Sequence, residues 1–152
     1  MKWTLKLENC KPFSINNAYY KKSFTHTKEC RQWRKTIIEA LSTPENLYAM
    51  EALRDTFKVG GNHALNVTII YGVHKEWFWT QKGDISRRSQ DLSNVEKLLI
   101  DIIFDSRFYE RGEIENLNID DKYITVLHSE KTWSNTWNIE VTLSLVDLKR
   151  YK

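Results

Sequence analysis

A chain of 152 residues with a net charge of +3 is long enough for one domain that buries roughly two-thirds of its unfolded surface, so it needs no added staple. Two cysteines, Cys10 and Cys30, are too few for a disulfide framework and lack metal-ligand spacing, so both are expected as reduced, largely buried thiols. No run approaches the ~18 apolar residues of a membrane span, and MKWTLKLENC has no apolar h-region, so a soluble, cytoplasmic protein is expected.

Trp3, Leu5 and Leu7 alternate with Thr4 and Lys6, which predicts a first strand. The polar, turn-rich segment KPFSINNAYYKK follows. Cys30, Trp33, Ile37, Ile38 and Leu41 then form a helical stripe that stops before Pro44. Leu47, Met50, Leu53 and Phe57 predict a short helix over residues 45–58. After Gly60 and Gly61, residues Leu65 to Val73 alternate as a half-buried strand. Trp77-Phe78-Trp79 is a second apolar patch, read as a further strand. The clearest helix carries Val95, Leu98, Leu99, Ile102 and Ile103 on one face, and Ser93 with Glu96 matches a capping box at its start. Two strands close the chain, one near Tyr123–His128 and one alternating from Trp137 to Leu145. The expected class is α+β: one domain over 1–152, a mixed sheet with two or three packed helices.

Charge is uneven along this layout. Residues 1–38 hold nine Lys/Arg against two Glu, a balance of +7 that leaves −4 for the rest. A basic N-terminal third beside a more acidic remainder suits a polyanion-binding surface next to an acidic site.

Phosphodiester hydrolysis needs an activated water and relief of charge on the phosphate oxygens. Mg²⁺ on a few carboxylates supplies both. Acids at element ends can converge for that purpose: Asp91 ahead of the strong helix, and Asp120-Asp121 at the entry to the next strand. On the helix, Asn94, Lys97 and Asp101 share a polar side. Their ordinary reading is dipole compensation by Asp91, an i,i+4 pair of Lys97 with Asp101, and an Asp120-Asp121 turn. The four histidines (His26, His63, His74, His128) show no ligand spacing, which argues against zinc. Trp33 and Trp137 are expected to pack in the core; for Trp77 and Trp79 the alternative is stacking on an unpaired base.

DLSNVEKLLID resembles the signature D-x-D-N-x-x-K-x-x-x-D of the RusA-type Holliday-junction resolvases at Asp91, Asn94, Lys97 and Asp101. NIDDKYITVLHSEK is similar to that family's apolar-Asp-Asp segment leading into a strand, with Lys131 near its far end. KPFSINNAYY resembles the family's Pro-x-Ser-x-Asn-x-x-Tyr opening at Pro12, Ser14, Asn17 and Tyr20. The segments keep the family's order across roughly residues 3 to 145.

The resemblance implies a RusA-like fold and a Mg²⁺-dependent endodeoxyribonuclease, with Mn²⁺ as substitute, that resolves branched DNA as a homodimer in bacterial or phage recombination and repair. It implies that Asp91 and Asp121 bind metal with Asp120 beside them, that Lys97 is the essential cation, and that Asp101 orients it. Asn94 and Asn17 would touch DNA. Basic residues Arg87, Arg88, Lys21, Lys22 and Lys131 are candidates for phosphate contacts.

Two departures stand out. Ser93 replaces the family's second aspartate, so that either one metal suffices or Asp84, Asp101 or Asp120 fills the gap. The segment FDSRFYERGEIENLN, with Arg107, Phe108, Tyr109 and Arg111, is longer than the family's connection. An alternative to the nuclease is therefore a catalytically weakened branched-DNA-binding protein; a flap or fork nuclease is a third reading.

Overall fold

The computed structural model describes residues 1–17, 26–86, 91–105 and 114–152. Its strands are β1 (Lys2–Glu8), β2 (His63–His74), β3 (Ile124–Ser134) and β4 (Asn138–Asp147), and its helices α1 (Lys28–Leu41), α2 (Pro44–Thr56), α3 (Lys75–Phe78) and α4 (Leu92–Phe104). Three 3-10 turns, Ile15–Asn17, Asp121–Tyr123 and Leu148–Tyr151, fill out the described elements.

The four strands form one mixed sheet in the order β1-β4-β2-β3. β4 pairs antiparallel with both neighbours, while β2 and β3 run parallel. A parallel pair needs a crossover, and α4 lies within it. This is the expected α+β class.

Alternation decides which face is buried. Leu5, Leu7, Leu65, Val67, Ile69, Tyr71, Val141 and Leu143 are fully inside, whereas Lys6 and Glu140 on the intervening positions are exposed. The buried stripe of α1 (Cys30, Trp33, Ile37, Ile38, Leu41) and that of α4 join the same cluster. Thr27 and Thr43 cap α1 and α2 with side-chain oxygens, and Pro44 opens α2 where its missing N–H costs nothing. Asn46, only 2% exposed, ties α2 to β1: it accepts from Lys6 N (3.0 Å) and donates to Lys6 O (2.9 Å) and Ala40 O (2.8 Å). Both cysteines are buried free thiols.

Two local expectations are corrected. Trp77 and Phe78 belong to the one-turn α3, and Trp79 makes only an isolated bridge to Ile85. Trp77 packs on Trp137, while Phe78 and Trp79 meet each other edge to face. The capping box at Ser93 does not form. Asp91 is the N-cap, its carbonyl accepting from Asn94 N at 3.0 Å, so Ser93 is already inside the helix. Glu96 instead accepts from Ser129 Oγ on β3 at 2.8 Å. β3 also runs six residues beyond His128, because its parallel pairing with β2 continues to His74 and Ser134. No helix among the described residues is long and apolar enough to cross a membrane.

Candidate functional site

The end of α4 is fixed by the strap that follows it. Asn116, 1% exposed, donates to Ile102 O (2.9 Å), and Leu117 N donates to Ile103 O (3.0 Å), which satisfies carbonyls that a helix end leaves open. Arg54 from α2 holds the same strap through Asn116 O at 2.7 Å. Asn118 then turns the chain at φ 49°, a left-handed conformation that asparagine tolerates better than most residues. This brings Asp120 and Asp121 alongside Lys97.

Lys97 Nζ lies 2.7 Å from Asp101 Oδ1 and 3.9 Å from Asp121 Oδ2. The Asp101 side chain is 12% exposed and that of Lys97 54%, so the carboxylate is anchored while the ammonium still meets solvent. Asp120 caps the 3-10 turn by accepting from Lys122 N at 3.0 Å. Lys97, Asp101, Asp105, Asn118, Asp120 and Asp121 line a cavity of about 400 Å³. One lysine faces four aspartates there, so the lining is net negative.

That donor chemistry suits a hard divalent cation. Mg²⁺ rests on one or two carboxylates, keeps several waters and shares substrate phosphates. Asp120 and Asp121, with side chains 57% and 49% exposed, are open enough to serve. Among the described residues, no group of three or more His, Cys, Asp or Glu is placed so that it could hold a metal ion together.

Lys97, Asp101, Asp120 and Asp121 thus come together, of which only the Lys97–Asp101 pair follows from helical spacing. Ser93 joins Lys97 and Asp121 along an adjoining groove with Glu96 and Leu127. Asp91 lines neither space. Its carboxylate accepts from Asn94 Nδ2 at 3.4 Å, and it precedes Lys97 by about 9 Å of helix rise. The reason is directional. Glu96, early in α4, meets Ser129 midway along β3, while Phe104 and Asp105 at the helix end meet Asp120 and Asp121 ahead of β3. Helix and strand therefore run in opposite senses, and their N-terminal ends point apart.

Lys131 lies elsewhere, in a second cavity with Lys11, Tyr71 and Trp77. Asp84 sits in an exposed turn, accepting from Ile85 N at 2.7 Å. Asn17 closes the turn Ile15–Asn17. Lys21, Lys22, Arg87, Arg88, Arg107, Phe108, Tyr109 and Arg111 lie outside the described residues.

Three residues near the acids escaped the motif reading. Asp105 follows Asp101 at i+4, so helical periodicity alone would have found it. Asn118 carried no such signal. His26, just ahead of α1, has its pKa lowered by partial burial and then by Arg34 and Arg31, with Asp101 pulling the other way. His26 therefore stands within electrostatic reach of Asp101 on the cavity wall, and of Arg31 and Arg34 on α1.

Compared with known proteins, the chain matches no protein-family model, and no curated protein matches it.

Proposed function

We propose that the chain is a metal-dependent endodeoxyribonuclease that acts on branched DNA and resolves four-way junctions by paired nicks from a homodimer. The observation that carries this reading is the Lys97 ammonium set between Asp101 and Asp121 at the edge of an open, carboxylate-lined cavity. The signature resemblance supplies the substrate class, and two symmetric cuts suit a two-fold dimer.

In this reading Asp120 and Asp121 hold Mg²⁺ or Mn²⁺; Asp91, which the resemblance also implies as a ligand, lines neither space. The bound ion supplies Lewis-acid polarisation of the phosphate and a more acidic water. Lys97 faces the non-bridging oxygens and offsets the charge that grows on them as the P–O bond breaks. Asp101 positions Lys97, keeping the ammonium at the cavity edge rather than in bulk water.

Purified protein with Mg²⁺ or Mn²⁺ is expected to convert a synthetic four-way junction into nicked duplexes. Asp121→Asn and Lys97→Ala are expected to lose at least about 100-fold in nicking while still binding the junction. Uncut junctions in both metals, or an Asp121→Asn variant as active as the parent, would end the reading.

One observation favours a second reading, a branched-DNA-binding protein with weakened catalysis. Ser93 occupies the groove beside Lys97 and Asp121, where the resemblance calls for a carboxylate. A hydroxyl is a poor Mg²⁺ ligand, and a site missing it would bind DNA without cutting. Salt-sensitive junction binding with no nicking in either metal is the signature of this alternative.

A further inference from the structure

A second cavity, of about 210 Å³, opens on the other flank of α4. Val95 lines it and Lys97 lines the acidic one; two residues apart on a helix, they point about 160° away from each other. Phe13, Trp77 and Trp137 give it aromatic walls, the two indoles meeting edge to face at 5.4 Å. Lys11 Nζ lies over both indoles, 5.1 Å from the Trp137 ring and 5.8 Å from that of Trp77. Lys131 lines it as well, set beside Tyr71 by the parallel pairing of β2 with β3.

Tyr71 is the unusual member. It is fully buried, yet its hydroxyl has no hydrogen-bond partner. Buried polar groups are nearly always paired, so an unpaired hydroxyl on a residue that lines a cavity is a candidate partner for a ligand's polar atom once the ligand seats. Burial, reinforced by the Glu96 carboxylate, pushes the phenol pKa well up, so it remains a neutral hydroxyl able to donate or accept. A ligand suited to these walls is flat, aromatic, edged with nitrogen or oxygen, and flanked by negative charge. An unpaired nucleobase in a DNA strand has all four properties.

We infer that this cavity takes one unpaired nucleobase, stacked on the Trp77–Trp137 walls, with its edge on the Tyr71 hydroxyl and its flanking phosphates near Lys11 and Lys131. The inference rests on the reading of the chain as a DNA-acting protein. It does not require the acidic cavity to be catalytic.

Fluorescence anisotropy with a short single-stranded oligonucleotide in EDTA tests it without any cleavage step. Trp77→Leu is expected to weaken binding by roughly 5- to 100-fold, the usual range for loss of one stacked base. Tyr71→Phe is expected to weaken it a few-fold with an unchanged or raised melting temperature, since the lost hydroxyl is unpaired in the free protein. The control is a strand of abasic residues, on which parent and Trp77→Leu should bind alike. Should Trp77→Leu fail to fold by circular dichroism, Tyr71→Phe and Lys11→Met carry the comparison. No binding of the single strand, equal losses on intact and abasic strands, or competition by free dAMP as effective as by the strand would each overturn the assignment. Failure of junction cleavage leaves this measurement intact, so the two readings fall separately.

Discussion

Lys97 and Asp101, one turn apart on α4, form a 2.7 Å ion pair in which the carboxylate is nearly buried and the ammonium half exposed. The asymmetry predicts unequal effects of removing either partner. Lys97→Met leaves Asp101 without its cation in a cavity it shares with Asp105, Asp120 and Asp121. The cost to stability is about 1 kcal/mol, held down because solvent already reaches the ammonium. Asp101→Asn keeps the shape of the side chain but releases Lys97 from its anchor. Nicking should fall by about 10-fold or more with junction binding unchanged. Urea titration and a nicking assay on both variants read these effects, and an Asp101→Asn enzyme at full rate would remove the positioning role.

Ser93→Asp is the complementary test. Ser93 is exposed in the first turn of α4 and shares a groove with Lys97 and Asp121. A carboxylate there favours the helix dipole, by about 0.3–1 kcal/mol. It also adds an oxygen donor next to Asp121. The variant is expected to be slightly more stable and to nick junctions faster at low Mg²⁺. A stabilised protein with unchanged metal dependence would place Ser93 outside the metal's reach.

Much of the fold was legible because it is periodic. The alternation in β1, β2 and β4 and the stripes of α1 and α4 each bury one face, and burial is what period-2 and period-3.6 patterns encode. Edge strand β3 was harder, since its exposed Leu127 and Trp133 blur the alternation. The site was legible only where its parts are local: Lys97 and Asp101 are four residues apart. Contacts that depend on tertiary direction were not. The opposed senses of α4 and β3 follow from the crossover rather than from any spacing. The capping-box pattern pairs Glu96 with Ser93, yet Glu96 bonds Ser129, 33 residues on.

Asn46 illustrates the same limit and yields a stability prediction. Its amide pairs with both backbone groups of Lys6 on edge strand β1, 40 residues away, and so substitutes for the neighbour that an edge strand lacks. Asn46→Ala leaves these groups and Ala40 O without that partner. The expected loss is about 3 kcal/mol, seen as a lower urea midpoint. A change within a few tenths of a kcal/mol would mean that water replaces the amide at no cost.

Cys10 gives the protein an alkaline limit. Burial pushes its thiol up from 9.0 to about 11, and its Sγ–H donates to Glu8 O at 3.3 Å. In the unfolded chain the thiol ionises first, while the native state still holds its proton. The unfolded state therefore binds fewer protons between pH 9 and 11, and stability falls as pH rises through that window. Below pH 9 both states are protonated and the contribution is fully present. The loss is on the order of 2 kcal/mol by pH 11. Cys30, also raised by burial, acts in the same direction. Urea midpoints measured from pH 8 to 11 should decline in the parent and decline less in Cys10→Ala. The same burial predicts slow alkylation of Cys10 at pH 8 in the folded protein, because the thiolate is the reactive form. Identical slopes in parent and variant would assign the alkaline loss to other groups.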